Sequence, residues 1–412
     1  MFKKFRLQNY RTHKDTTIEI ENRLLIIGSN NSGKSNLLSG LSFFSKLVSN
    51  AYENNGKKKH INHYDFFQNK HSLADNEQPM IYFVQWQELD IKIEYTLTLY
   101  AEQKTVYCKE QLQVFNNKEN YNKIYNSGED KKSSEMLLRI KLSEVKNSIP
   151  YFAEINSCFK DISSCFYYHF QPALMKGTAS STYLKDGVRQ ITDHKDFSNE
   201  KFYLPNDLGK EGANLLEVLK YVQANEGETF VKTINALTYF EPNSKFNNLN
   251  VEDGKIKWSF DLGKGQLKYY EADKVSDGLI KAAAVALLCS LRNPPALLLI
   301  EEIENGINQR NLANFLEQLE NLTAKKCQVI MTSHSPSVVR EFHNYLNAIY
   351  NVHLRVKRGY VSEVVNLEEA IIQFAKIGSI DEDDFTEDEN GKIRMSPAAL
   401  TELFYNGILN QL

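Results

Sequence analysis

Leu24-Leu25-Ile26-Ile27 is an unbroken apolar run that stops at Gly28, and apolar residues then recur at positions 37, 38, 41, 44, 47 and 48. The run predicts a strand buried on both faces; the spacing predicts a helix with one apolar stripe. Upstream, residues 2–8 and 17–20 predict short strands around a polar turn. Residues 51–78 are polar and predict a solvated loop carrying the run Lys57-Lys58-Lys59-His60. From 80 to 115 the alternation predicts an antiparallel meander. Residues 116–133 predict a loop, and 134–240 predict helices interrupted by one aromatic strand at 164–170. Strands return over 246–272, with Asp253-Gly254 as a hairpin turn.

The pattern becomes regular after 275. An Ala- and Leu-rich helix over 279–292 is stopped by Asn293-Pro294-Pro295, and Ala296–Ile300 predicts a buried strand. A helix bearing Leu312, Phe315, Leu316, Leu319 and Leu322 on one face leads to a strand over 327–331. Ser335-Pro336 has the chemistry of an N-cap and first helical residue. Two further strands close the sheet, followed by an acidic stretch, Asp381–Glu389, expected as a solvated loop, and a helix near 397–411. The expected fold class is α/β: a mixed central sheet, an antiparallel β-subdomain and a helical lobe. The expected divisions are 1–133, a helical insertion at 134–245, a second lobe at 246–370, and a C-terminal loop and helix at 371–412.

Two segments carry chemistry. Gly28-Ser29-Asn30-Asn31-Ser32-Gly33-Lys34-Ser35 fits G-x-x-x-x-G-K-[ST] between a predicted strand and a predicted helix. In that context the glycines let backbone N–H groups face a phosphate, and the helix N-terminus adds positive potential. Lys34 would reach the β and γ phosphates, the Ser35 hydroxyl would ligate Mg²⁺, and Asn36 opens the helix. The second segment, Leu297-Leu298-Leu299-Ile300-Glu301-Glu302, ends an apolar strand in two carboxylates. Glu301 is assigned to Mg²⁺ and Glu302 to polarising the attacking water.

Composition removes other classes. There are 49 basic and 52 acidic residues, a net charge of -3, so a histone-like nucleic-acid binder is excluded. No run approaches about 18 consecutive apolar residues, and the start lacks a signal-peptide pattern. Five scattered cysteines without a C-x-x-C predict reduced thiols, hence a cytoplasmic protein without a thiolate zinc site.

As an ordered set, these motifs resemble the ABC-type ATPases of the SMC, RecF and OLD (overcoming lysogenisation defect) branch. FRLQNYRTHKDTTIEI followed by LLIIGSNNSGKSNLL is similar to that branch's N-terminal strands and phosphate loop. DLGKEGANLLEVL at 207–219 resembles a segment of the OLD-like subset, and Lys274-Val275-Ser276-Asp277-Gly278 stands at the place of the signature motif. LLLIEEIENGI resembles the Walker B and D-loop stretch, and Met331-Thr332-Ser333-His334-Ser335-Pro336 the switch-histidine segment. The resemblance implies an ABC-type ATPase head that sandwiches ATP between two protomers, with Ser276 and Gly278 touching the γ-phosphate in trans. It implies that His334 contacts the γ-phosphate or the attacking water, and that Glu304, Asn305 and Gly306 form the D-loop. Gln171 is the candidate Q-loop residue, and Arg11 and His13 are candidates near the base or ribose. Two departures stand out: Glu301 replaces the usual Asp, and the signature is reduced to V-S-D-G.

No sustained heptads separate Lys34 from Glu302, so long SMC-type arms are not expected. The residues after the last sheet strands, 371–412, are expected to be too few for a Toprim nuclease. The primary expectation is therefore an ATP- and Mg²⁺-dependent ATPase subunit of a bacterial anti-phage defence complex, of the stand-alone OLD-like kind in Septu-type and retron-linked operons. It would form a homodimer or higher homo-oligomer and gate a separately encoded nuclease or toxin, without membrane association. A RecF-like ATPase clamping DNA and a nucleotide-sensing scaffold with little turnover are the alternatives.

Overall fold

The computed structural model describes residues 1–53, 63–70, 78–102, 105–116, 118–127, 136, 138–176, 181–185, 188–192, 208–240, 245–356, 359–376, 380, 384–389 and 391–405. The Lys57–His60 run therefore lies outside the described residues. In chain order the first elements are β1 (Phe2–Tyr10), β2 (His13–Glu19), β3 (Arg23–Ile27), α1 (Lys34–Glu53) and α2 (His63–Asn69). Next come β4 (Met80–Glu88), β5 (Ile91–Glu102), β6 (Thr105–Asn116), β7 (Tyr121–Asn126), α3 (Leu138–Glu144), α4 (Phe152–Ser163) and β8 (Cys165–Tyr168). The middle holds α5 (Pro172–Met175), β9 (Ser181–Lys185), β10 (Val188–Thr192), α6 (Leu215–Asn225), α7 (Gly227–Phe240), β11 (Phe246–Glu252), β12 (Lys255–Asp261) and β13 (Leu267–Glu271). The remainder is α8 (Asp277–Ser290), β14 (Leu297–Ile300), α9 (Leu312–Thr323), β15 (Gln328–Thr332), α10 (Pro336–Arg340), β16 (Ile349–Arg355), β17 (Val361–Asn366), α11 (Leu367–Lys376), β18 (Phe385–Glu387), β19 (Ile393–Met395) and α12 (Pro397–Tyr405).

The chain divides into two compact units. The first comprises residues 1–166, 296–299 and 328–412; the second comprises 167–295 and 300–327. The boundary falls inside β8 and β14.

The first unit holds an antiparallel sheet in the order β2-β1-β4-β5-β6-β7. One face of β4 is buried at alternate positions, as the period of two requires. On that face Phe44 of α1 stacks on Tyr82 with ring centroids 5.3 Å apart, and Phe159 of α4 meets Tyr95 edge-on at 5.1 Å. The second sheet is mixed, in the order β17-β16-β3-β15-β14-β8. Within it β3 runs parallel to both β15 and β16, and β16 is antiparallel to β17. All four residues Leu24–Ile27 are fully buried, as the unbroken apolar run requires. The second unit carries the three-stranded antiparallel sheet β11-β12-β13 and helices α5 to α9. In the turn joining β11 to β12, Asp253 and Gly254 have φ of 53° and 70°, the two left-handed residues a tight hairpin needs.

Three segments differ from expectation. The polar stretch 51–78 contains α2, whose Phe66 is fully buried and anchors the helix. The stretch 116–133 contains β7, an edge strand paired to β6 across a turn in which Asn120 has φ 50°. Its Tyr and Ile residues favour a strand, but Asn and Lys mask them, since an edge strand needs little apolar burial. The acidic stretch 381–389 contributes β18, paired to β19. That hairpin forms because Ile393 and Met395 are buried and the Asp388 carboxylate accepts from the Lys392 N–H and from Arg394. The predicted C-terminal helix is described as far as Tyr405. All five cysteines are free thiols. Among the described residues no helix is long and apolar enough to cross a membrane.

Candidate functional site

In the first unit the glycine-rich loop leaves β3 at Gly28 and enters α1 at Lys34. Gly28 and Gly33 have φ of 139° and 114°. A Cβ at Gly28 would lie 2.0 Å from the Val352 carbonyl oxygen, and one at Gly33 would lie 2.1 Å from Ser362 Oγ. Both glycines are therefore required twice, by backbone conformation and by close approach. Lys34 Nζ donates to the carbonyls of Gly28 (2.9 Å) and Ser29 (2.8 Å), so the ammonium sits inside the curl of its own loop. Asn30, Asn31 and Ser35 are exposed, whereas Ser32, Gly33 and Lys34 are buried. The Ser32 hydroxyl oxygen is buried with no hydrogen-bond partner among the described residues.

The turn between β1 and β2 braces this loop. His13 is fully buried, with Nε2 3.0 Å from the Gly33 carbonyl and Nδ1 2.9 Å from Thr16 Oγ1. Ser362 Oγ lies 2.6 Å from the Ser32 carbonyl and 2.7 Å from Thr12 Oγ1. A hydroxyl has one proton, so Ser362 donates to Ser32 and Thr12 donates to Ser362. Thr12 Oγ1 in turn accepts from Asn36 Nδ2 at 2.9 Å. His13 thus holds the backbone of the loop. Arg11 reaches the same helix start, donating to Asn36 Oδ1, Ser39 Oγ and Asn69 Oδ1.

His334 emerges at this loop's end of the sheet. Thr332 lies opposite Ile26 in the parallel register of β15 and β3, and the Ser333 N–H donates to the Ile26 carbonyl. The strand delivering Gly28 and the strand delivering His334 therefore end side by side. Ligands of open α/β sheets bind at such carboxyl ends.

In the second unit the paired carboxylates have unequal surroundings. The Glu301 side chain is 5 % exposed. Its Oε1 accepts from Tyr167 OH at 2.6 Å and its Oε2 lies 2.8 Å from His169 Nδ1. The Glu301 N–H donates to the Tyr168 carbonyl, so strand-like pairing fixes the alignment. The hydrogen bond to Glu301 raises the His169 pKa against the opposing effect of burial. His169 Nε2 is 3.8 Å from Glu302 Oε2, so the imidazole stands between the two carboxylates. Sequence reasoning did not find Tyr167 or His169. The only signal was the alternation Tyr168-His169-Phe170-Gln171, with Tyr168 and Phe170 buried and the polar pair half-buried.

The segment 208–212 backs this strand: His169 N–H donates to the Lys210 carbonyl and Gln171 N–H to the Glu211 carbonyl. Lys210 Nζ lies 4.1 Å from the centroid of the Tyr167 ring. Gln171 occupies the N-cap position of α5, and its side chain makes no capping bond.

Glu302 has φ 47°, an unusual conformation for a residue with a side chain. Its carboxylate accepts from the Asn305 side chain, its carbonyl from Asn305 N–H. Ser276 is the exposed N-cap of α8 and accepts from Leu279 N–H at 3.2 Å. Asp277 beside it pairs with Lys176 at 2.6 Å. Gly278 is buried against the 304–306 turn, where a Cβ would lie 1.9 Å from the Gly306 carbonyl oxygen.

A family model described as "AAA domain, putative AbiEii toxin, Type IV TA system" matches residues 24–340, more than half of the chain. No curated protein matches. The structure is similar to a crystal structure of the SmcHead bound to the C-winged helix domain of ScpA, at 13 % identity and a TM-score of 0.49, covering 90 % of this chain and 99 % of that one. An SMC head domain from Thermotoga maritima gives a TM-score of 0.41 at 13 % identity, over 89 % of this chain and 99 % of that chain. An Smc head with an extended coiled coil from Pyrococcus furiosus, bound to the C-terminal domain of ScpA, gives 0.40 at 13 % identity, over 92 % and 99 %. None reaches 0.5, so the functional reading rests on the family match and on the site geometry.

Proposed function

The chain belongs to this AAA-domain family, and from that premise we propose that it binds ATP with Mg²⁺ and hydrolyses it as one subunit of a larger assembly. The observation that carries the reading is the glycine loop. Its two glycines approach neighbouring backbone and side chain so closely that no Cβ fits, and its lysine ammonium sits within the curl. That arrangement suits a polyphosphate, whose oxygens accept backbone N–H groups and a lysine charge. The buried, unpartnered Ser32 hydroxyl agrees with such a ligand.

ATP would supply the phosphoanhydride bond, and Mg²⁺ would offset the charge that develops on its phosphates. Lys34, with Gly28 and Asn30 to Asn36, would hold the phosphates, and Ser35 and Glu301 would hold the metal. Glu302 would polarise the attacking water as the catalytic base, and His334 would contact that water or the γ-phosphate. Ser276, Gly278, Gln171 and Arg11 complete the nucleotide contacts, the first two in trans across a homodimer. In this reading turnover gates a separately encoded nuclease or toxin in bacterial anti-phage defence, as in the OLD-like stand-alone ATPases. The family's description, with its AbiEii toxin and type IV toxin–antitoxin system, supports that context.

One observation favours the slow-turnover alternative. Both oxygens of Glu301 are engaged by Tyr167 and His169, which competes with a metal-holding role. A single set of variants tests both readings. Glu302→Gln is expected to keep ATP binding, to lose at least tenfold in turnover and to accumulate the ATP-bound dimer. Lys34→Ala is expected to weaken ATP binding itself. Unchanged turnover in Glu302→Gln removes the assigned base, and unmeasurable wild-type turnover with ATP-dependent assembly selects the scaffold. Pull-down of Glu302→Gln with ATP and the products of adjacent genes identifies the effector; recovery of DNA and repair proteins instead selects the clamp.

A further inference from the structure

Helix α8 contains a lysine where its pattern calls for a hydrophobic residue. Every residue from Gly278 to Ser290 is buried, and Lys281 is 1 % exposed. An ammonium is costly to bury unless it is hydrogen-bonded and paired. Lys281 Nζ donates to the Glu302 carbonyl at 2.6 Å, and the carboxylates of Glu304 and Glu302 attract it. Gly278, one turn earlier on the same helix face, touches the Gly306 carbonyl so closely that a Cβ would lie 1.9 Å from it. Two adjacent positions of one helix therefore grip the two ends of the turn 302–306. That turn holds Glu302 in its left-handed conformation and is closed by Asn305 N–H to Glu302 O and Ile307 N–H to Glu304 O. The Glu302 carbonyl accepts from both Lys281 Nζ and Asn305 N–H, the most that one carbonyl accommodates.

We propose that Lys281 is the positioning residue of Glu302: its ammonium anchors the Glu302 backbone to α8, so that the helix begun by Ser276 sets where the Glu302 carboxylate stands. The catalytic consequence rests on the reading of Glu302 as the base; the anchoring itself does not. An apolar residue would pack α8 equally well but would leave the Glu302 carbonyl with one donor fewer and the strained φ less supported.

The experiment uses the full chain and Lys281→Met, Lys281→Arg and Lys281→Gln variants, checked for folding by far-UV circular dichroism. Hydrogen exchange is read at the amides of 303–308, with β15 (328–332) as the internal reference. Lys281→Met is expected to speed exchange of 303–308 at least tenfold while β15 is unmoved, and Lys281→Arg to restore part of the protection. With Mg²⁺-ATP, kcat is expected to fall tenfold or more while nucleotide affinity stays within twofold. If Lys281→Met does not fold, the same comparison is made on Lys281→Gln, which keeps a shorter donor. Unchanged exchange at 303–308 overturns the proposal, as does a rise in KM with kcat unchanged. If the wild-type chain neither binds nor turns over ATP, the ATPase reading fails, and the exchange result alone decides for or against Lys281.

Discussion

His169 Nδ1 stands 2.8 Å from Glu301 Oε2, with the opposite oxygen of the same carboxylate taken by Tyr167 OH at 2.6 Å. A glutamate here reaches both donors; an aspartate would be one methylene shorter. The departure from the usual Asp is thus matched by the groups facing the carboxylate. Tyr167→Phe removes a donor from a carboxylate that is 5 % exposed. Hydrogen bonds to charged groups contribute about 1.5–3 kcal/mol, so a stability loss on the order of 2 kcal/mol is expected in denaturant unfolding. No loss would mean that Oε1 gains another donor once the phenol is gone.

Ser362 is expected to act on the phosphate loop without touching the nucleotide. Ser362→Ala leaves the Ser32 carbonyl without the donor at 2.6 Å and breaks the chain through Thr12 to Asn36. Nucleotide affinity should fall about tenfold, equivalent to about 1.4 kcal/mol, with circular dichroism unchanged. Equilibrium binding of a fluorescent ATP analogue measures it, and full affinity would show that the loop holds its shape without this brace.

Gly278 and Gly227 make a matched pair. A methyl at Gly278 meets backbone at 1.9 Å, whereas one at Gly227 finds nothing within 4 Å. Gly278→Ala should cost about 1–3 kcal/mol by overpacking. Gly227→Ala should be neutral or slightly stabilising, because it reduces the freedom of the unfolded chain. Thermal melts of the two variants decide it, and equal effects would contradict the tight contact of α8 with the 304–306 turn.

Lys281 makes stability depend on alkaline pH. Burial pushes its ammonium down to about 8, against the pull of Glu304 and Glu302. An unfolded lysine titrates near 10.4. The folded state therefore bears the whole cost of a buried charge below pH 8 and sheds it as pH rises towards about 10.5. Relative to Lys281→Met, the wild-type chain should gain stability across that window, on the order of 3 kcal/mol in total. Parallel urea titrations of both proteins at pH 7 and pH 10 read the difference, and parallel pH curves would refute it.

The local rules were legible wherever a short run of residues settles its own structure. Leu24–Ile27, the glycine loop and the stripe of α1 follow from period and spacing, as do β14 with its two carboxylates, the Asp253-Gly254 hairpin and Pro336 opening α10. The segments that differed, α2, β7 and β18, are polar stretches whose order comes from one or two buried residues or from pairing with a neighbour. Composition within such a stretch does not show what its buried side chains pack on or which strand it pairs with. The same reason hid the supporting residues of the site. Ser362 reaches Ser32 across 330 positions, and Tyr167 reaches Glu301 across 134. Tyr167, His169 and Lys281 read as ordinary side chains until the fold supplies what they face. The sequence by itself determined where the glycine loop, the helix starts and the two carboxylates after an apolar strand stand, because backbone conformation, helix ends and strand ends are local properties. Only the tertiary structure decided which groups hold them in place, because a hydrogen bond between distant positions has no trace in the spacing of either partner.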